Sequence, residues 1–208
     1  MILIGQYDSP FARRVGITLV LYGIPFQHRP WSTFGDADKI RPYNPLTRVP
    51  TLVLDDGEVL IDSHLILDYL DSLVPADQAM FPRTEPSRHR ALKVAALATG
   101  MADKAVSLFY EQRLHTEMSG MWADRCRVQI VGVLDVLEKD RAAQTGEFWF
   151  GDRIGHADIA VATALRFLND AHPGLVDMAG FPALAWHAAK LEVLPVFKTI
   201  AQEFVAPA

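Results

Sequence analysis

Two short stretches place polar side chains where a helix is about to open. One is Tyr7-Asp8-Ser9-Pro10; the other is Asp62-Ser63. The first turn of a helix leaves N–H groups without partners and carries the positive end of the helix dipole, so it attracts anions. A serine hydroxyl there adds a donor. Ser9 could therefore stabilise an anion, and Ser63 could help hold a carboxylate while Asp62 pairs with an ammonium. The same residues are also ordinary helix starts: serine and aspartate are favoured N-caps, and proline is favoured at the first helical position. On spacing alone both readings stand, and capping and catalysis would compete for the Ser9 oxygen. Tyr7 is a second hydroxyl nearby, or else an ordinary strand-end aromatic. Pro50 precedes the apolar run Thr51-Leu52-Val53-Leu54, where a residue without a backbone donor is tolerated at a strand start. Arg13 and Arg48 are candidates for anionic ligand ends. The seven histidines lack metal-ligand spacing and no metal is expected; His156 reads as a helix-start residue.

The elements that must carry these residues alternate in the first third of the chain. Ile2-Leu3-Ile4 is a short buried strand. From Pro10, Val15, Leu19 and Tyr22 recur at helical spacing until Gly23 ends the run. Residues 25–31 read as a second strand and 36–41 as a short helix. Asp55-Asp56-Gly57-Glu58, flanked by Thr51–Leu54 and Val59–Ile61, is a hairpin signal. From Ser63, Leu65, Ile66, Tyr69, Leu70 and Leu73 form one helical stripe. The order is β-α-β-α-β-β-α, which predicts parallel pairs joined by crossovers and one antiparallel hairpin.

Prolines 75, 82 and 86 mark a linker at 76–86, separating a domain at 1–75 from an all-helical domain at 87–208. Helices are predicted over 87–115 and 121–141. Residues 159–168 are apolar all round apart from Thr163 and Arg166, which marks a buried central helix. After Pro195, the spacing of Phe197, Ile200, Ala201 and Phe204 predicts a last helix.

Composition limits the function classes. Half of the 208 residues are hydrophobic, enough for packed cores, and the formal charge is −5. A mildly acidic chain with no basic cluster points away from nucleic acid and anionic membranes. No run approaches the ~18 apolar residues of a spanning helix. The start lacks a signal-peptide pattern, and a single cysteine, Cys126, leaves no intrachain disulfide. The expectation is a cytoplasmic protein in which Cys126 is an inert mid-helix thiol.

Five motifs in order resemble the soluble glutathione transferase superfamily over nearly the whole chain: residues 9–15 (SPFARRV), 44–52 (NPLTRVPTL), 62–70 (DSHLILDYL), 155–160 (GHADIA), and Phe181-Pro182 through Trp186 with Pro195. Three departures from the family pattern stand out. Thr47-Arg48 stands where Gly-Lys is common, Asp62 where Glu is common, and Gly155 where a Ser or Thr cap is common. Gly caps nearly as well, and Asp158 three residues on favours the helix terminus.

The resemblance implies a thioredoxin-like βαβαββα domain followed by a helical bundle, with glutathione as co-substrate and no metal. It implies Ser9 as the catalytic donor to the glutathione thiolate, in a serine-type, bacterial-like member. Serine in place of cysteine argues against disulfide reduction. It also implies glutathione binding by Phe11, Arg48, Val49, Pro50, Asp62 and Ser63, with Pro50 cis and the Val49 backbone facing the cysteinyl part. A second, apolar electrophile would meet Tyr7, Trp31, Phe34, Phe109, Tyr110 and Arg113. A homodimer through the third and fourth helices is implied, with Asp103 reaching the partner's ligand. Conjugation of the detoxifying kind is the expected reaction; peroxide reduction, dehalogenation and isomerisation use the same thiolate. The alternative is a ligand carrier or protein-interaction module that has lost the chemistry.

Overall fold

The computed structural model describes residues 1–206. The elements are β1 (Ile2–Ile4), α1 (Pro10–Leu21), β2 (Gln27–Arg29), α2 (Ala37–Ile40), β3 (Thr51–Val53), β4 (Val59–Ile61) and α3 (Ser63–Ser72). These are followed by α4 (Ser87–Leu114), α5 (Gly120–Ala142), α6 (His156–Ala171), α7 (Pro182–Glu192) and α8 (Pro195–Thr199). Two compact units emerge: Met1–Met80 together with the segment from Val193 onward, and Phe81–Glu192.

The first unit is the thioredoxin-like one. Its sheet has the order β2-β1-β3-β4. Ser9 caps α1 with extended backbone, and Pro10 occupies the first helical position. At the other end the Tyr22 N–H bonds Thr18 O, and Gly23 turns the chain with φ +65°, a conformation that favours glycine. This returns the chain to β2, parallel to β1. The next pairing differs from the expected parallel pattern: β3 runs antiparallel to β1, and β4 antiparallel to β3. The link from β2 to β3 contains only the one-turn α2. A helix that short does not carry the chain back along the sheet, so β3 begins at the end where β2 finishes. The Asp-Gly hairpin forms as predicted, with Gly57 at φ +90° and Leu54 N bonded to Glu58 O at 2.8 Å. Leu3, Ile17, Leu19, Leu52, Ile66, Leu67 and Leu70 are sealed in the core.

The second unit is a helical bundle around α6, whose buried residues occupy every face of its first turns. Thr163 satisfies its hydroxyl on Ile159 O at 2.8 Å, and Arg166 bonds Asp170 at 2.5 Å. The start of α6 is closed from within: Asp158 accepts from Gly155 N and Trp149 N, both at 2.8 Å. Beside it Arg141 is fully engaged, donating to His187 Nδ1 and to the carbonyls of Gln144, Gly146 and Glu147.

The C-terminal end departs from its expected helix. α8 stops at Thr199, and Ala201 and Phe204 are not helical. The physical reason is Arg13, whose Nε and NH2 donate to Ile200 O (2.8 Å) and Phe197 O (3.0 Å). Extending the helix would offer Phe197 O to Ala201 N; the guanidinium takes that acceptor instead. The tail therefore folds with the first unit, whereas composition grouped it with the helical domain.

Candidate functional site

The start of α1 is the most chemically open point of the first unit. Ser9 Oγ accepts from Ala12 N at a long 3.3 Å. That bond uses an oxygen lone pair; the hydroxyl proton has no acceptor among the described residues. Capping and donation therefore use different parts of the group. Pro10 has no N–H, Ala12 N–H goes to Ser9 and Arg13 N–H to Ser9 O (2.9 Å). That leaves the Phe11 N–H without a partner among the described residues, with no acidic residue in the first helical turn to neutralise it. A hydroxyl donor and a bare backbone donor stand together at the positive end of a helix, an arrangement that favours an external anion.

A second opening lies at residues 47–50. Asn44, buried, donates to Arg48 O (3.0 Å) and Thr51 Oγ1 (3.1 Å), and its own Oδ1 accepts from Leu46 N. This brace holds the loop while the Val49 N–H and C=O make no hydrogen bond within the described chain. The Val49–Pro50 bond is cis. Gly5 sits under the loop with φ +135°; a Cβ there would lie 2.8 Å from Val49 Cβ, so no side chain fits. Arg48 is exposed and Pro50 buried.

The third opening is the start of α3. Asp62 holds φ 70° and accepts from His64 N at 2.8 Å through Oδ1. Ser63 is only 3% exposed, and its hydroxyl bonds no described residue. The sequence reading missed the group behind this turn. Arg14 is 1% exposed, and none of its three guanidinium nitrogens has a hydrogen-bond partner. Burial pulls its pKa down to about 10, and the charge of Asp62 opposes that pull. A signal was present: Arg14 lies three and four residues before Ile17 and Thr18, so a cation sits on a face of α1 that is otherwise buried.

The remaining predicted residues are spread more widely. Tyr7 is 8% exposed, stacks on His28 at 3.9 Å, and packs over Gly16, where a Cβ would meet its ring at 2.8 Å. Burial pushes its pKa up to about 12. Trp31 is half-buried against the Ile4–Ile40–Val53 cluster with Arg29 over its ring, and Phe34 is exposed. Arg13, bonded to two tail carbonyls, is buried in structural work. In the second unit Phe109 is buried against His172 and Tyr110, with Arg113 over its ring at 5.8 Å. Asp103 is exposed and pairs with Lys104. His156 and Cys126 are sealed in the core.

The first unit thus combines a thioredoxin-like sheet with three openings at the starts of α1 and α3 and at residues 47–50, and it is joined in sequence to a helical bundle. Comparison with known proteins gives this combination a family. The model for the glutathione S-transferase N-terminal domain matches residues 3–78, and that for the C-terminal domain matches residues 120–189. The GST-like protein YibF of Escherichia coli (strain K12) is 35% identical over 173 residues, 81% of this chain and 82% of the relative. A probable maleylacetoacetate isomerase of Drosophila melanogaster is 27% identical over 203 residues, 95% of this chain and 79% of the relative. A glutathione S-transferase of Methylobacterium radiotolerans, solved with glutathione sulfonate, has TM-score 0.88 and 30% identity, covering 100% of this chain and 98% of its own. This chain belongs to the glutathione S-transferase family.

Proposed function

We propose that the protein is a glutathione transferase that holds the tripeptide's sulfur as a thiolate for attack on a small, mostly apolar electrophile. The observation that carries this reading is the start of α1: a Ser9 proton and a Phe11 N–H without partners among the described residues, with no acidic residue in the first helical turn. A free thiol has pKa ~8.5, so lowering it by about two units needs about 2.7 kcal/mol of preference for the anion. A hydroxyl donor and a helix terminus are the right groups to supply it. The similar structure solved with glutathione sulfonate supports the ligand's identity.

The other openings match the rest of the tripeptide. The unpaired Val49 N–H and C=O can bond the cysteinyl backbone as an added strand does. The α3 start and Ser63 hydroxyl suit the γ-glutamyl carboxylate, and Asp62 its ammonium. Arg14 acts from behind: its buried charge attracts Asp62 without bonding it. Phe11 and the exposed Arg48 complete the glutathione set, and Phe34, exposed, is offered to the electrophile. In the reaction the sulfur lone pair forms the S–C bond, the electrophile's leaving group departs with the displaced pair, and the Ser9 proton stays on its oxygen throughout.

The test is Ser9→Ala against an aryl halide. Turnover is expected to fall about 100-fold, as for loss of one preorganised donor, with glutathione affinity within about threefold. Equal losses in both would make Ser9 a cap only. Likeness to the maleylacetoacetate isomerase favours a second outcome of the same nucleophile, isomerisation through a reversible adduct, which a panel of unsaturated acids separates from conjugation. A cytoplasmic homodimer through α3 and α4 completes the proposal; Leu65, 51% exposed on α3, supplies apolar surface, and a monomer at micromolar concentration would refute the dimer.

A further inference from the structure

The last residues of the chain return to the turn that carries Ser9. Tyr7 N donates to Gln202 Oε1 at 3.2 Å across 195 residues of sequence. Burial raises the pKa of the Asp8 carboxyl, and the nearby backbone N–H groups of Ser9 and Val205 oppose that rise. Arg13, one turn into α1, grips Ile200 O and Phe197 O and lies over the Phe197 ring at 5.5 Å. Gly16 leaves the space that Ile200 fills: a Cβ there would come within 2.9 Å of Ile200 Cγ2. The tail thus touches residues 7, 8, 13 and 16, on both sides of Ser9, through side-chain hydrogen bonds as well as packing.

Turns that precede helices are held by few backbone bonds of their own. Here the local ones are Ser9 N to Gln6 O at 3.2 Å, Arg13 N to Ser9 O at 2.9 Å and Ala12 N to Ser9 Oγ at 3.3 Å, and the one on the Ser9 hydroxyl itself is long. A turn so loosely bonded needs outside support to aim a hydroxyl within a few tenths of an ångström.

We propose that Gln202 is a positioning residue for Ser9, and that the C-terminal strap fixes the direction in which the Ser9 hydroxyl donates. The strap acts through the Tyr7–Ser9 backbone and does not touch the sulfur itself. This inference rests on the reading of Ser9 as thiolate donor. Misplacing a reacting group by about 1 Å costs up to about 100-fold in rate, so loss of one of the bonds should be visible in chemistry before it is visible in stability.

The experiment compares full-length wild type, Gln202→Ala and Gln202→Glu by the pH titration of the ultraviolet thiolate band of bound glutathione, alongside kcat, glutathione KM and thermal unfolding. Gln202→Ala is expected to move the thiol titration to higher pH and lower kcat about tenfold, with KM and unfolding little changed. Gln202→Glu, which keeps an acceptor for Tyr7 N–H, is expected to stay near wild type. Unchanged titration and kcat in Gln202→Ala would overturn the proposal, as would equal loss in both variants. If wild-type enzyme itself leaves bound glutathione unionised at neutral pH, the thiolate reading fails and takes this one with it; a normal wild-type thiolate with an inert Gln202→Ala fails this inference alone.

Discussion

The starts of α1 and α6 obey the same local physics and come out opposite. At α6 the orphan donors are consumed by the chain: Asp158 accepts from Gly155 N and Trp149 N, and His187 Nε2 lies 3.2 Å from its Oδ1. At α1 there is no acid in the first turn, the Phe11 N–H is bare and the Ser9 proton is unspent. Two buried arginines repeat the contrast. Arg141 has its nitrogens on His187, Gln144, Gly146 and Glu147, while Arg14 has none of its own bonded. Saturated polar groups specify a fold; unsaturated ones at the surface of a packed unit are reserved for something that arrives later. The start of α6 is closed by the chain's own residues, and the start of α1 keeps donors that no described residue takes.

Removing the carboxylate at the closed helix start should have the largest effect on folding. Asp158→Ala leaves two buried N–H groups and an uncompensated Arg141–His187 pair, so unfolding free energy is expected to fall by about 3 kcal/mol in a denaturant titration. Ionisation of bound glutathione in the protein that remains folded should be unmoved; a shifted thiol titration would break the division of labour. Arg14→Met should invert that result. An unpaired buried cation contributes little to the fold, and replacing it with an apolar chain is expected to be neutral or stabilising. Glutathione KM should nevertheless rise about tenfold, near 1.4 kcal/mol, because Asp62 loses the charge behind it. A collapse in stability with unchanged KM would make Arg14 a structural residue after all.

The smallest effect is a pH slope. His172 bonds Ala105 O at 2.8 Å, and burial, reinforced by the Arg127 charge, holds its pKa below the usual histidine value. The unfolded chain therefore binds a proton that the native state resists. Stability is full above about pH 6.5 and declines as pH falls below it. His172→Gln should flatten that part of the stability–pH curve; a slope of opposite sign would show that the native histidine is the stronger base.

What was legible in the sequence was local. Ser9-Pro10, Gly23, Asp56-Gly57 and Asp62-Ser63 announce caps and turns through chemistry that needs only their neighbours, and the elements form where they say. The family motifs added the chemistry, since spacing alone favours Ser9 as a cap. What was hidden depends on partners far along the chain. The antiparallel β1–β3 pairing is set by what the β2–β3 link can span. The early end of α8 is set by Arg13, 184 residues before Phe197. Tyr7 offers a hydroxyl in sequence, but its ring is sealed between His28 and Gly16. Arg14 looks like any surface cation until the burial of its face is known.

The most direct measurement is the pKa of the glutathione thiol bound to wild-type enzyme, read from its thiolate absorbance against pH with Ser9→Ala alongside. The open helix start predicts a wild-type value about two units below the ~8.5 of a free thiol, returning most of the way toward it in Ser9→Ala. A wild-type value at or above that of the free thiol, or one that Ser9→Ala leaves in place, would contradict the account.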